Sequence, residues 1–150
     1  MINSLTSKKS LTTGKIKVNI LNLGECSKCS LALTSFLLQK KENGFKNISQ
    51  TKNPEDCNCL LITGCLLKIH REKLLETWQS IKKNHIIISF GDCGTEKQKI
   101  FNVEGQNFKN LTIDSEDLSE IIPIDYVIKG CPPKQIDIKT IFQEILGQNI

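Results

Sequence analysis

Arginine is nearly absent from this chain. Of the 20 basic residues only Arg71 is arginine, and the aromatic side chains are six Phe, one Tyr and one Trp. Guanidinium forks that read base edges and aromatic platforms that stack on unpaired bases are both scarce, so no nucleic-acid partner is expected. The net charge of +4 comes from scattered lysines, paired only at Lys8-Lys9, Lys40-Lys41, Lys82-Lys83, and reads as a solvated surface. Long apolar runs are missing too. The stretches Cys59 to Ile69 and Ile86 to Phe90 are broken by Gly64 and Lys68 or end early. Neither reaches the ~20 residues of a bilayer span, so no direct membrane insertion is expected. The opening Met1 to Gly14 is rich in Ser, Thr and Lys with no apolar core, so no secretory signal is expected. It reads as a flexible tail (residues 1–14) on a cytoplasmic chain, followed by a single domain over 15–150.

Cysteine, by contrast, is abundant: seven in 150 residues. An odd number in a reducing compartment argues against a disulfide framework and leaves metal binding, redox chemistry or buried thiols. With 39% hydrophobic and 24% charged residues the chain is globular, and its length suits one core.

The hydrophobic pattern alternates strands with helices. Lys15 to Leu23 alternates Ile16, Val18 and Ile20 with polar residues before Gly24; Ser30 to Asn43 carries Leu31, Leu33, Phe36, Leu37 and Leu38 at helical spacing and ends at Gly44. Cys59 to Thr63, His85 to Phe90 and Tyr126 to Ile128 are short apolar runs followed by or near a glycine. Helices are expected over about His70 to Lys83 and Lys134 to Leu146, and a polar loop with one short edge element over 102–120. Strands alternating with helices imply crossovers and an α/β parallel open sheet with helices on both faces. Ligands in such sheets sit beyond the carboxyl ends of the strands.

The cysteines fall at those ends. Cys26 and Cys29 follow the first strand in C-x2-C spacing, Cys65 follows Gly64, Cys93 follows Gly91-Asp92, and Cys131 sits between Gly130 and Pro132-Pro133. C-x2-C lets one turn present two thiolates to a metal or cluster, and redox pairs and zinc knuckles use it as well. Cys93 and Cys131 arrive singly from distant strands, a dispersion that iron–sulfur clusters tolerate. The plainer reading is four small buried hydrophobes, but ordinary buried cysteines have no reason to occupy every strand end. Cys57 and Cys59 read as packing. Cys65 reads as a supporting thiol near the others rather than a ligand. His70 and His85 read as surface or core residues.

These motifs resemble the small-subunit family shared by nickel–iron hydrogenases and the cluster-bearing 20 kDa subunit of respiratory complex I. Glu25-Cys26-Ser27-Lys28-Cys29-Ser30 is similar to the hydrogenase Glu-Cys-Thr-Gly-Cys segment. Leu60 to Gly64 resembles the apolar strand ending in Thr-Gly, Gly91-Asp92-Cys93 its Gly-x-Cys, and Gly130-Cys131-Pro132-Pro133 its Gly-Cys-Pro-Pro. The resemblance runs from about Lys15 to Leu146 and implies a flavodoxin-like domain with one proximal 4Fe-4S cluster on Cys26, Cys29, Cys93 and Cys131. It also implies an electron-transfer subunit of an oxidoreductase complex, not catalytic alone. Its partners would be a catalytic large subunit and further iron–sulfur or flavin carriers, through which the whole complex could be membrane-associated. The chain ends after the first domain, as in the compact type. Lys28 replaces a common glycine and Leu31 a second acidic residue; Glu25 remains as a candidate proton relay. Complex I members carry adjacent cysteines, so the hydrogenase branch fits better. The alternatives are a complex I-like subunit passing electrons to quinone or another acceptor, and a zinc-stabilised, cysteine-rich binding module.

Overall fold

The computed structural model describes residues 9, 11, 14–24, 26–81, 83–95 and 117–147. Runs of β-branched and leucine side chains at Ile16–Asn22 (β1), Cys59–Thr63 (β3) and Ile86–Phe90 (β4) make the centre of a sheet completed by Ile48–Gln50 (β2) and Tyr126–Ile128 (β5). Every pairing is parallel and the order is β2-β1-β3-β4-β5. The chain steps from β1 outward to β2 and then crosses back to β3, so the strand order reverses beside β1, where a crevice forms in open sheets of this kind.

Both faces of the sheet are covered, which is why all five residues of β3 and of β4 are buried. Cys59, Leu61, Ile86, Ile88 and Phe90 point to one side. They meet Leu33 and Phe36 of helix α1 (Lys28–Leu38) and Ile138, Ile141, Phe142 and Ile145 of helix α4 (Gln135–Ile145). Leu60, Ile62 and Ile87 point to the other, against Leu74 of α2 (Arg71–Ser80) and Leu118 of the short α3 (Leu118–Ile121). Phe36, Phe45 and Phe142 form an aromatic cluster in the first core, with ring centroids 5.3 to 6.3 Å apart.

Several boundaries differ from the sequence expectation. Helix α1 stops at Leu38 rather than near Asn43, because Gln39 to Asn43 has no apolar face to bury. The chain turns there instead, Phe45 N–H donating to Lys40 O at 2.7 Å and the Lys40 ammonium to Ile48 O at 2.6 Å. Gly44 does take positive φ, +87°, but at the end of that turn. Strand β2 was not anticipated: it has three residues, and only Ile48 is buried. Helix α3 occupies the end of the stretch expected as loop, most of which lies outside the described residues. Within the expected tail, Leu11 is buried in the first core and its N–H donates to Ile145 O at 3.3 Å. Lys9 O accepts from the Tyr126 hydroxyl at 2.9 Å, and its ammonium pairs with Asp125 at 3.6 Å. These two residues of the tail are therefore docked. Among the described residues no helix is long and apolar enough to cross a membrane.

Candidate metal centre

Strand register sets the site. Asn22, Thr63, Phe90 and Ile128 are successive partners across β1, β3, β4 and β5, so four strands end on one line. The cysteine-bearing loops start from that line. A hydroxyl–amide cluster fixes one side of it: the fully buried Thr63 donates from Oγ1 to Asn22 Oδ1 at 2.8 Å, and Ser30 Oγ of α1 donates to the same oxygen at 3.3 Å.

Two backbone latches then join the loops in pairs. Gly24 N–H donates to Cys65 O at 3.0 Å and Cys65 N–H to Gly24 O at 2.8 Å, an antiparallel bridge that clasps the loop after β1 to the loop after β3. The Cys65 thiol donates to Gly24 O at 3.3 Å. On the other side Asp92 N–H donates to Gly130 O at 3.1 Å while Gly130 N–H donates to Asp92 Oδ1 at 2.8 Å, and Gly91 N–H reaches Ile128 O at 2.8 Å. The first latch carries Cys26 and Cys65, the second Cys93 and Cys131.

Cys29, in the first turn of α1, links the two halves. It is buried, and a Cβ at Gly91 would stand 2.6 Å from its sulfur. Gly91 also has φ +92°, so glycine is required there for backbone and space alike. Cys26 and Cys131 are exposed, Cys65 and Cys93 half-buried. Burial pushes the Cys93 thiol up to about 11, and Cys131, Cys65, Cys26 and Asp92, in that order, add to it by charge repulsion. Burial likewise raises Cys65, partly offset by a backbone hydrogen bond. Thiols that mutually oppose ionisation become thiolates when a cationic metal group binds among them.

The donor set suits an iron–sulfur cluster: soft sulfurs from dispersed loops, with backbone amides of glycine-bearing turns beside them. Among the described residues no group of three or more His, Cys, Asp or Glu is close enough to hold a single metal ion. A cluster, which takes each thiolate on its own iron, spans a wider cage. The structure thus brings Cys131, Cys65 and Cys26 into electrostatic reach of Cys93 and sets Cys29 against the Cys93 loop. Glu25 lies outside the described residues. Cys57 and Cys59 are fully buried at the amino end of β3, remote from the strand-end line, and burial raises Cys59 with Cys57 and Asp125 adding to it. His85 precedes β4 at that same amino end, and His70 leads into α2. Two groups escaped sequence reasoning. The Asp92 carboxylate acts through its hydrogen bond to a loop thirty-eight residues away, and Asn22 through its acceptance from Thr63 and Ser30; neither has a motif to mark it.

Some large apolar side chains near the cysteine loops in sequence are exposed. Leu31 at the start of α1, Ile69 before α2 and Ile136 at the start of α4 are 68%, 80% and 63% exposed. The lysines Lys28, Lys129 and Lys134 are exposed nearby.

An all-parallel, doubly covered sheet with strand order β2-β1-β3-β4-β5 and thiols at its carboxyl end is a flavodoxin-like architecture. The chain belongs to the NADH ubiquinone oxidoreductase 20 kDa subunit family, whose sequence pattern matches residues 20–145. It is 29% identical over 134 residues to formate hydrogenlyase subunit 7 of Escherichia coli strain K12, covering 87% of this chain and 49% of that protein. The chain thus spans about half the length of that relative. Its fold is similar to a chain of the membrane-bound sulfane sulfur reductase, an archaeal respiratory membrane complex (TM-score 0.67, 14% identity, 89% of this chain and 70% of that one). It is also similar to a chain of an NAD+-reducing [NiFe]-hydrogenase in the H2-reduced state (TM-score 0.63, 19% identity, 91% and 93%).

Proposed function

We propose that the chain is the electron-transfer small subunit of a nickel–iron hydrogenase-type complex and holds one 4Fe-4S cluster on Cys26, Cys29, Cys93 and Cys131. The observation that carries this reading is the convergence of thiols from separate strand-end loops, joined by the Gly24–Cys65 and Asp92–Gly130 latches. When bound, such a cluster accepts and releases one electron at a time. The chain's own contribution is positional. The latches hold the four loops at one spacing, Gly91 leaves room for the Cys29 sulfur, and the first turn of α1 places Cys29 at the positive end of a helix, where a thiolate is stabilised. Leu31, Ile69 and Ile136 form a rim that a catalytic large subunit would cover, excluding water from the centre.

Anaerobically purified protein should contain iron and acid-labile sulfide at close to four each per chain. Stoichiometric zinc without sulfide would replace this reading by the cysteine-rich binding module. The family's name supports a second reading, a complex I-like subunit delivering electrons to quinone or another acceptor. The co-purifying large subunit separates the two: paired C-x2-C motifs able to hold nickel belong to the first, their absence to the second.

A further inference from the structure

Strand β5, which leads into the Cys131 loop, is the least supported of the four strands that end on the cysteine line. It has three residues, pairs among the described residues with β4 alone, and leaves Val127 exposed. Two residues near the start of the chain reinforce it from the far end. Leu11 is buried in the core that α4 shares, and its N–H donates at 3.3 Å to the carbonyl of Ile145, the last residue of that helix. Lys9 O accepts from the hydroxyl of Tyr126, the first residue of β5, at 2.9 Å, and its ammonium stands 3.6 Å from Asp125 Oδ1. The other Asp125 oxygen accepts from Ile87 N–H at 2.8 Å, and Asp125 N–H donates to Ile87 O at 2.9 Å. One carboxylate therefore joins β4, the entry to β5 and Lys9. At the cysteine end the same unit is held by Gly91 N–H on Ile128 O and by the Asp92–Gly130 pair.

We propose that Lys9 and Leu11 act as a strap: they fasten β5 and α4 at the end away from the centre, and their release loosens both elements together with the Cys131 loop between them. The middle of the sheet stays closed, because the pairings of β1 with β3 and of β3 with β4 involve neither strap residue. Release uncovers the last turn of α4 and takes the acceptor from the Tyr126 hydroxyl, so the opening is local rather than global. The strap itself stands on these contacts alone; its effect on the retention of iron rests on the cluster reading above.

The test is amide hydrogen exchange, read by mass spectrometry on the full chain purified anaerobically with the subunits that accompany it. In Leu11→Asp, segments 126–131 and 138–145 should exchange on the order of tenfold faster than in the wild type, with segments 18–22, 59–63 and 86–90 unchanged. Unchanged exchange in the first two segments overturns the strap. So does equal acceleration in all five, which would make Leu11 a general core residue. Should Leu11→Asp fail to fold, Leu11→Ala and Tyr126→Phe decide the matter. The second removes only the hydroxyl bond to Lys9 O and should speed exchange in 126–131 by a few-fold, an effect whose absence from both variants overturns the proposal. Iron release to a chelator should be several-fold faster in Leu11→Asp than in the wild type; faster exchange with unchanged release overturns the link to the centre. Wild-type protein without iron and sulfide would overturn the cluster reading instead, and the exchange pattern would still decide the strap.

Discussion

At the residue scale the thiols divide by what surrounds them. Cys59 is fully buried, and burial first, then Cys57 and Asp125, raise its thiol above the ordinary value of 9.0. A raised folded-state value contributes stability that is fully present below about pH 9 and is lost as pH rises, because only the unfolded chain then ionises the thiol. Cluster-free protein should therefore lose stability in urea titrations above pH 9, and Cys59→Val should flatten that alkaline slope. Asp92 acts through one oxygen. Asp92→Ala removes the acceptor for Gly130 N–H and should destabilise by on the order of 1.5–3 kcal/mol while lowering iron content, whereas Asp92→Asn, which keeps Oδ1, should retain iron. Gly91→Ala should be worse for the centre than its size suggests. Its methyl would stand 2.6 Å from the Cys29 sulfur in a backbone with φ +92°, at a cost of roughly 1–3 kcal/mol from strain alone. Iron content and urea midpoints of the variant check this together.

At the element scale, helices α1 and α4 are fixed to the sheet by the Phe36–Phe45–Phe142 cluster, and both begin directly after cysteine-bearing loops. Gln135 Nε2 donates to Ala32 O at 3.1 Å, tying the start of α4 to α1. Phe142→Ala should cost about 3–5 kcal/mol in urea unfolding, since the ring is fully buried and packs against both Phe36 of α1 and Phe45. The site should loosen with it, because the start of α4 shares its packing with the Cys131 loop. Strands β1, β3, β4 and β5 and helix α4 were legible from periodicity, as each has a long or unbroken apolar signal. Strand β2 was not, because Ile48 alone is buried and its two neighbours are polar. The early end of α1 was missed for a related reason: the residues after Leu38 have good helix propensity but nothing to pack against.

At the scale of the whole molecule, the proposed function makes the exposed Leu31, Ile69 and Ile136 the face that a large subunit would cover. Leu31→Lys and Ile136→Lys should each leave iron content and urea midpoint near wild type, since both side chains are more than half exposed, yet reduce co-purification of the large subunit several-fold. A loss of fold in either variant would assign those residues to the core instead. Leu38, 81% exposed at the opposite end of α1, supplies the control: Leu38→Lys should leave co-purification unchanged.

The sequence by itself determined the class of fold, the strand ends and the four glycine-linked cysteine loops. Those signals are local: apolar period, glycine at a turn, cysteine spacing. It also set Cys57 and Cys59 apart, since neither follows a strand. Only the tertiary structure decided how the loops are joined. The register that levels Asn22 with Thr63, Phe90 and Ile128, the Gly24–Cys65 bridge and the hold of Asp92 on Gly130 are contacts between residues thirty-eight or more positions apart, or alignments across whole strands. No short-range pattern encodes such contacts, because they exist only once the sheet has chosen its strand order. The same holds for Cys65, which in sequence is one more cysteine after a glycine and in the fold is bridged through its N–H and C=O to Gly24.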